Sequence, residues 1–489
     1  MSSSTFYLLP LFVAVVSCAT SEFQTVAQSA TTASSGPWLQ YTDLRQAGFD
    51  GQALRRVCER ADSLHSGAVM VVFRGRVILA CGDVNRKLEA HSVRKSLVSG
   101  LFGTAVGRGE INLDSTLDDF AIDERTPLTS TEQSATIRQV ISARSGVYLP
   151  AAYGASQDRR RPRRGSHSPG THWFYNNWDF NIAGVVYERA TREDLYESFD
   201  RRLAKPLGME DWEPADGFRV YEPTKSRYPA QTFRISTRDL ARFGQLYLQK
   251  GEWAGRRILP VEWVTESTRP HTDDGDGTGY GYMWWTYQAG SLFTAKYPKL
   301  GKYAFYRALG TGEQGLWVIP DADLVVVHRA DTDHGRRVDG EDHWALVESV
   351  LEARRTEPKP RPDLRPLQPT VLSSQLPPAI IPEYRALPES FLDSYLGDYE
   401  LSPGAVHFGE YKLTPGSTVR VFLFDGKPYV HLPGAGDVQM FATARRDILT
   451  VRVVPGMGIA FERSADGEVT AVTLTLGDYT LKASRAQPQ

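Results

Sequence analysis

Residues Tyr303–Arg329 read YAFYRALGTGEQGLWVIPDADLVVVHR, and this stretch decides the fold class. It holds three runs rich in β-branched and aromatic residues, which are Tyr303–Leu309, Gly315–Ile319 and Leu324–Arg329. The turn-forming segment Pro320–Asp323 separates the second run from the third. We therefore predict consecutive strands here.

The hexapeptide Gly310–Gly315 (GTGEQG) also fits the dinucleotide-binding pattern G-x-G-x-x-G. That fingerprint opens a helix, whereas these glycines lead into the extended run Leu316–Pro320, so we exclude a dinucleotide site. Two interpretations remain. The glycines let a substrate approach a free backbone N–H that pairs with the N–H of Ser92 as an oxyanion hole, or they form a hairpin corner.

Strand patterns occur at both ends of the first 357 residues. Leu54–Leu64 has helical spacing and is followed by the strand-like runs Val69–Phe73 and Val77–Cys81. Helical patterns fill the middle and the end of this region, at Ser92–Gly107, Asp179–Ala190, Thr237–Gln249 and Asp342–Arg354. We predict an α+β domain, with an antiparallel sheet flanked by helices and a mostly helical subdomain.

The chain divides at a segment rich in proline. Nine prolines fall within residues 358–388, which favours extended backbone and excludes a continuous helix. Short strand patterns with Asp-Gly turns follow, so we predict a small all-β barrel or sandwich. This module either binds cell-wall or partner surfaces or packs on the core. The predicted units are residues 1–18, a signal peptide; 19–36, a tether; 37–357, the large domain; 358–388, a linker; and 389–489, the β-domain.

The amino-terminal segment resembles an export signal. Phe6–Val16 is an apolar run of 11 residues, about half the ~20 that span a bilayer. Val15–Cys18 resembles a lipobox, and the polar tract Thr20–Ser35 follows like a tether. We expect an exported periplasmic or envelope protein, attached to the membrane through lipidated Cys18; the alternative is a buried N-terminal strand. The remaining cysteines, Cys58 and Cys81, either pair or stay free as buried thiols.

Composition and motifs exclude several classes of function. Of 489 residues, 56 are Lys or Arg and 58 are Asp or Glu, and the net charge of −2 gives no attraction to nucleic acid. The sequence contains no G-x-S-x-G, H-E-x-x-H, C-x-x-C or G-x-x-x-x-G-K-[ST] motif. His328, His334 and His343 lack metal-ligand spacing and are expected to be structural or exposed. We expect neither a metal nor a cofactor.

A serine and a lysine open the helical pattern that begins at Ser92. Residues three apart on a helix share a face, so the hydroxyl of Ser92 and the amine of Lys95 are able to meet. Burial lowers the pKa of an amine, and an uncharged amine accepts a hydroxyl proton; we predict such a shift for Lys95. The alternative is a helix-capping serine with a solvated lysine. Downstream, Tyr175-Asn176-Asn177 offers a phenol that relays a proton and a carboxamide that binds substrate or Lys95.

Together these motifs resemble the serine β-lactamase and penicillin-binding-protein-like hydrolases, in particular the class C-related group with its esterases, D-amino-acid peptidases and amide hydrolases. The likeness spans about residues 44–355. Besides Ser92–Lys95 and Tyr175–Asn177, it rests on Gly107–Thr116, Thr136–Gly146, Leu203–Met209, Ile235–Lys250, Gly279–Trp285 and Gly310–Val327.

The resemblance implies a role for each motif residue. Ser92 would be the acyl-enzyme nucleophile, Lys95 its base and Tyr175 a proton relay. Substrate would be bound by Asn177, Gly310, Thr311, Gly312 and Gln314, with the strand after Gly310 completing the oxyanion hole.

Ser92–Lys95 corresponds to the first motif of the family and Tyr175–Asn177 to the second; the third motif, at Gly310–Gly312, departs from the family pattern. The family commonly places Lys or His before Thr/Ser-Gly, whereas Ala308-Leu309 precede Gly310 here, so no cation is evident for a substrate carboxylate. We therefore expect a neutral ester or amide as the small-molecule substrate. Arg159–Arg164 (RRRPRR) either supplies charge or is solvated surface. Trp173, Trp178, Trp284 and Trp285 either line an acyl pocket or pack in the core.

Two other functions stay open at this point. One is a β-lactamase or D,D-peptidase that acts on penicillins or cell-wall peptides with the same nucleophile. The other is a lipid-anchored binding protein that keeps the fold without turnover, because the third-motif cation is absent.

Overall fold

The computed structural model describes residues 36–154, 160–273, 275–291, 294–374 and 376, and in the C-terminal region 389–402, 407–408, 411–412, 416–424, 426–433, 436–443, 446–451, 457–476 and 479–486. The predicted signal peptide, with Cys18, and nearly all of the tether lie outside the described residues. Within the described part of the chain, no helix has both the length and the apolar character needed to cross a bilayer.

The helices are α1 Gly51–Ser63, α2 Arg94–Gly107, α3 Ser130–Gln133, α4 Ile137–Ile141, α5 Asn177–Thr191, α6 Leu195–Phe199, α7 Lys205–Leu207, α8 Thr237–Leu248, α9 Val261–Ser267, α10 Gly340–Glu352 and α11 Glu389–Tyr395.

The strands before the proline-rich segment and within it are β1 Leu39–Tyr41, β2 Ser66–Phe73, β3 Arg76–Gly82, β4 Leu88–Glu89, β5 Gly217–Val220, β6 Ala230–Ile235, β7 Glu252–Trp253, β8 Arg256–Arg257, β9 Thr272–Asp273, β10 Thr278–Tyr280, β11 Trp285–Tyr287, β12 Phe305–Gly310, β13 Gln314–Ile319, β14 Leu324–Ala330 and β15 Leu364–Pro366. The C-terminal strands are β16 Gly397–Leu401, β17 His407–Phe408, β18 Tyr411–Lys412, β19 Thr418–Phe424, β20 Lys427–Leu432, β21 Gly436–Ala442, β22 Ile448–Val451, β23 Gly458–Arg463, β24 Val469–Leu476 and β25 Tyr479–Arg485.

The central sheet joins strands from both ends of the large domain. Its order is β15-β1-β3-β2-β14-β13-β12-β11-β10-β9. Strand β14 pairs antiparallel with β2, so that Leu324 lies opposite Phe73. This pairing confirms the predicted α+β fold. One pair differs from the antiparallel prediction: β1 runs parallel to β3 through Gln40 and Val77, because α1 and β2 intervene and allow a crossover.

Both faces of the sheet are covered. All eight residues of β2 are buried, and their side chains alternate between two cores. Val71 and Phe73 belong to a cluster with residues of α1 and α10. Met70 and Val72 belong to the opposite cluster, which includes residues of α2 and α8. The sheet is therefore a central layer between helices.

Helix α2 is enclosed by neighbouring side chains along most of its length. Two glycines make this possible: a Cβ at Gly100 would lie 2.7 Å from the Phe243 ring, and one at Gly103 would overlap the Trp263 ring. Glycine inside a helix costs about 1 kcal/mol relative to alanine, and here it permits close packing. The helix that carries Lys95 is consequently held in place from several sides.

Part of the predicted linker belongs to the sheet, which corrects its assignment as a linker. Strand β15 pairs with β1, Leu39 lying opposite Pro366, and Thr370 forms a bridge to Cys81. The sheet order places β15 at the edge of the sheet, where a proline without an N–H is tolerated. The domain boundary itself stays a prediction, since residues 377–388 lie outside the described residues.

The C-terminal strands close into a barrel in the order β16-β19-β20-β21-β22-β23-β24-β25. Closure occurs because β25 returns to β16, with Tyr399 opposite Arg485. Of the two predicted alternatives, barrel and sandwich, the structure is a barrel. It contacts the large domain where the Thr224 backbone N–H donates to Asp437 Oδ2 at 3.3 Å.

Cys58 in α1 and Cys81 in β3 form a disulfide, with their Cα atoms 5.8 Å apart. The sequence left this pairing open. The bond ties the first helix to the central sheet.

We expect the double variant Cys58→Ala/Cys81→Ala to unfold with a free energy lower by about 3 kcal/mol, because a cross-link of this loop length restricts the unfolded chain. Urea unfolding measures the change, and a reducing agent should lower the stability of the wild type to a similar extent while leaving the variant unchanged. A wild-type unfolding curve that does not respond to reduction would contradict the prediction.

Candidate functional site

Ser92 lies in a 3-10 turn, His91–Val93, immediately before α2. The predicted helix therefore begins two residues later than expected, at Arg94, and Ser92 does not cap it. Lys95 Nζ donates a hydrogen bond to Ser92 Oγ at 2.7 Å. Lys95 is only 2% exposed, which excludes the alternative of a solvated lysine.

Aromatic rings surround the amine of Lys95. Its Nζ lies 4.6 Å from the centroid of the Tyr175 ring and 4.9 Å from that of Phe180. Both rings are buried, so they keep bulk water from the amine while their faces offer a weak electrostatic attraction to a cation. The site therefore places a dry amine against a serine hydroxyl.

Tyr175 completes the cluster. Burial raises the pKa of its phenol to about 12, although a hydrogen bond with Ser92 and the charge of Arg94 act in the opposite direction. The ring stacks on Trp285 with centroids 5.4 Å apart. The phenol thus keeps its proton at neutral pH and is able to pass one to and from Ser92.

The turn that presents Tyr175 is fixed by a buried hydrogen-bond network. Asn176 caps α5 by accepting from the Trp178 backbone N–H, and its Nδ2 donates to Val147 O at 2.7 Å and to Asp179 Oδ1 at 2.8 Å. Ser145 Oγ also donates to Asp179 Oδ1, at 2.6 Å. Burial raises the pKa of Asp179 to about 8 despite these hydrogen bonds. Sequence reasoning did not single out Asp179.

Asn177 is buried at the first position of α5. Its Nδ2 donates to the main-chain oxygen of Tyr153 at 3.3 Å. The amide is therefore anchored to the loop that precedes the Tyr175 segment. Its contact with a substrate or with Lys95 stays a prediction.

The third motif forms the hairpin corner between β12 and β13, where Gly310 pairs with Gln314. A Cβ at Gly310 would lie 2.6 Å from Ala90 O and 3.1 Å from Ser92 N, so only glycine lets this strand pass against the residues before α2. Thr311 is exposed at the corner, and Gly312 follows with a left-handed φ of 77°. Gly310 therefore lies against the backbone of Ser92, and Thr311 and Gly312 follow it in the corner.

The side chain of Gln314, unlike that of Thr311 at the corner, lies in the core. It is fully buried, its Nε2 donates to Ala330 O at 2.7 Å, and its Oε1 accepts from Arg329 Nε at 2.6 Å. Both ends of the amide thus hold the hairpin to β14. The predicted contact of Gln314 with substrate has no support from this geometry.

Two arginines that could offer positive charge, Arg307 and Arg164, are committed elsewhere. The guanidinium of Arg307 on β12 lies over the rings of Trp317 and Trp344, at 4.6 and 4.4 Å. In the basic run, Arg164 Nη2 pairs with Glu132 Oε2 at 2.6 Å; Arg159 lies outside the described residues. Neither arginine replaces the third-motif cation.

Two of the four candidate tryptophans adjoin the site. Trp285 stacks on Tyr175, and Trp173 packs edge-on against Trp285 at 5.9 Å. Trp178 and Trp284 are fully buried core residues and do not line a pocket wall. Trp285 and Trp173 therefore form an aromatic cluster with Tyr175.

A hydrogen-bond network that the sequence did not reveal begins at His91, the residue before Ser92, and includes Tyr153 and Glu89. His91 Nδ1 lies 2.7 Å from Tyr153 Oη, which donates to Glu89 Oε1 at 2.6 Å. Burial lowers the pKa of His91 to about 3 and raises that of Glu89 to about 7. No motif marks them, and the only signal in the sequence is that His91 directly precedes Ser92.

Of the three histidines expected to be structural or exposed, His328 and His343 are buried and hydrogen-bonded. His343 Nε2 accepts from Trp317 Nε1 at 3.0 Å, and His328 Nε2 lies 2.9 Å from Ser66 Oγ. Among the residues that the structure describes, no group of three or more His, Cys, Asp or Glu side chains is arranged to hold a metal ion.

A family model described as Beta-lactamase matches residues 54–350. An uncharacterized protein of Alkalihalophilus pseudofirmus is 22% identical over 257 residues, which is 48% of this chain and 71% of that protein. Esterase EstB of Burkholderia gladioli is 29% identical over 161 residues, and that match spans 28% of this chain and 40% of the esterase. An octameric penicillin-binding protein homologue from Pyrococcus abyssi is 14% identical, with a TM-score of 0.46, and the match covers 88% of this chain and 99% of that one.

The buried carboxyl of Asp179 predicts a dependence of stability on pH. Because its pKa is raised in the folded state, the folded protein keeps a proton between about pH 4 and 8 that the unfolded chain releases, so its contribution to stability falls as the pH rises through this window. Asp179→Asn has no ionisable group at this position, so its stability does not fall with rising pH through this side chain. The free energy of unfolding of Asp179→Asn relative to wild type should increase by up to about 1.4 kcal/mol per pH unit between pH 4 and 8.

Urea unfolding at several pH values measures this difference. Asp118→Asn, which alters an exposed carboxylate, is the matched control and should run parallel to wild type. Parallel curves for Asp179→Asn and wild type would show that Asp179 is ionised in the folded protein.

Proposed function

The chain belongs to the Beta-lactamase family and is a serine hydrolase, and from that premise we propose that it cleaves a neutral ester or amide through an acyl-enzyme on Ser92. In this proposal Lys95 is the base and Tyr175 the proton relay. The observation that carries it is the 2.7 Å contact between Lys95 Nζ and Ser92 Oγ inside a shell of buried aromatic rings. The non-catalytic alternative is set aside, because the family match and the esterase among the relatives support an enzyme.

The first step is attack of Ser92 Oγ on the substrate carbonyl carbon. The hydroxyl proton passes to the uncharged amine of Lys95, and the carbonyl oxygen becomes an oxyanion. When the tetrahedral intermediate collapses, the bond to the leaving group breaks, and Lys95 returns the proton through the Tyr175 hydroxyl to the departing alcohol or amine. Water then attacks the acyl-enzyme by the same proton path in reverse, which releases the acid and restores Ser92.

The oxyanion requires donors that are in place before the reaction. We assign the Ser92 backbone N–H and an N–H of the β12 corner near Thr311 to this role. Support comes from Gly310, whose lack of a side chain lets the corner approach Ser92 N. One such donor is worth about 3 kcal/mol of transition-state stabilisation.

The chemistry of the cleft favours an uncharged substrate. No Lys or His precedes Gly310 in the third motif, and Arg307 and Arg164 are committed to rings and to Glu132. The cluster formed by Tyr175, Trp285 and Trp173 is aromatic and suits an apolar acyl or alkoxy group. An esterase among the relatives agrees with this substrate class.

We expect the wild type to hydrolyse a chromogenic short-chain ester faster than either a chromogenic cephalosporin or a D-alanyl anilide. Ser92→Ala should lower kcat for the preferred substrate by at least about 10⁴-fold, because no other hydroxyl accepts the acyl group. Steady-state kinetics on purified protein measure both results, with Ser63→Ala, at the exposed end of α1, as the control that keeps full activity.

Two outcomes would change the proposal. Fast acylation by the cephalosporin with slow ester cleavage would assign the protein to the β-lactamase or D,D-peptidase alternative. Full ester hydrolysis by Ser92→Ala would refute Ser92 as the nucleophile.

A further inference from the structure

The residue before the nucleophile has an uncommon backbone conformation. His91 has a φ of 47°, in the left-handed region that non-glycine residues seldom adopt. Such a conformation costs on the order of 1 kcal/mol and persists only where the surroundings enforce it. Its side chain is 15% exposed, so neighbouring groups of the protein surround most of it.

Hydrogen bonds hold both ring nitrogens of His91. Nδ1 lies 2.7 Å from Tyr153 Oη, and Nε2 lies 2.9 Å from Thr332 Oγ1. Because Tyr153 donates its proton to Glu89 Oε1, its oxygen is left to accept from His91 Nδ1–H. Nε2 of the neutral ring then accepts from the Thr332 hydroxyl. In this hydrogen-bond series, which runs from Thr332 through His91 and Tyr153 to Glu89, each donor therefore faces an acceptor.

The two hydrogen-bond partners of His91, Tyr153 and Thr332, contact the second and third motifs. The main-chain oxygen of Tyr153 accepts from Nδ2 of Asn177, in the second motif. Thr332 packs on the third motif, since a Cβ at Gly312 would lie 2.5 Å from the Thr332 methyl carbon. His91 itself directly precedes Ser92 of the first motif in the sequence. The three motifs, which are far apart in the sequence, therefore meet at this one imidazole.

We propose that His91 is a positioning residue that sets Ser92 against Asn177 and the third-motif corner through Tyr153 and Thr332. This inference rests on the proposed function of Ser92. His91 transfers no proton to substrate in this scheme; it fixes the direction of the Ser92 hydroxyl and of the Ser92 backbone N–H.

Loss of this support should change the chemical step more than substrate binding. Lys95 is held within α2 by the packing of that helix, so release of the preceding turn moves Ser92 relative to its base. A displacement of about 1 Å in such a constellation lowers a rate by about 100-fold. We expect kcat and kcat/KM to fall together, with little change in KM.

The test compares two substitutions at His91. His91→Gly removes the ring and adopts a left-handed φ without strain, so a loss of activity reflects the missing contacts and the added freedom of the turn. We expect kcat to fall by about 10- to 100-fold. His91→Asn tolerates the same φ, and its amide N–H replaces the Nδ1–H donor to Tyr153, so it should keep activity within about 5-fold of wild type.

A matched control lies at the end of α1. His65 also has a left-handed φ, of 52°, but it is exposed and distant in sequence from the motifs. His65→Gly and His65→Asn should leave kcat and KM unchanged. Two further variants, Tyr153→Phe and Thr332→Val, each remove one hydrogen-bond partner of His91. Both should lower kcat and leave KM unchanged. They keep the inference testable if His91→Gly does not fold.

The outcomes separate this inference from the proposed function. If Ser92→Ala is inactive while folded His91→Gly matches wild type in kcat, the positioning role is refuted and the nucleophile stands. If His91→Gly loses activity only in proportion to the folded fraction measured by thermal unfolding, or raises KM alone, the inference is also overturned. Activity in Ser92→Ala would refute the proposed function itself.

Discussion

A buried amine in contact with a serine hydroxyl is the interaction on which the rest of the structure depends. An isolated ammonium taken out of water costs several kcal/mol, so a lysine that is 2% exposed needs partners on every side. Ser92 Oγ is one such partner through a hydrogen bond, and the centroids of the Tyr175 and Phe180 rings lie 4.6 and 4.9 Å from the amine. In the proposed mechanism, this enclosure favours the uncharged amine that would act as a base.

The packing of helices and strands around Lys95 holds the three motifs in place. Helix α2 lies within the core, with Gly100 and Gly103 removing side chains where Phe243 and Trp263 pack. The sheet brings β12 against the turn before α2, and Gly310 allows the close approach. The second motif arrives at the start of α5, where Asn176 and Asp179 lock the turn. Each motif is thus held by packing that is independent of the substrate, which spares the site reorganisation during the reaction.

Much of this was predictable because the signals are local. Period-two and helical patterns identified the sheet strands and the main helices, and the spacing of Ser92 and Lys95 placed them on one face. The network of His91, Tyr153, Glu89 and Thr332 was not predictable, since its contacts join residues up to 241 positions apart. Barrel closure depends likewise on β25 meeting β16, which no local pattern encodes. Trp178 and Trp284 lie near the motifs in sequence yet point into the core.

The central claim is that the hydroxyl held by Lys95 becomes acylated during turnover. Rapid-quench mass spectrometry of the enzyme with its preferred ester, followed by peptide mapping, tests it most directly. The account predicts an added acyl mass within the first turnover, confined to the peptide that contains Ser92. Rapid turnover with no adduct on that peptide, or with the adduct on another side chain, would contradict it.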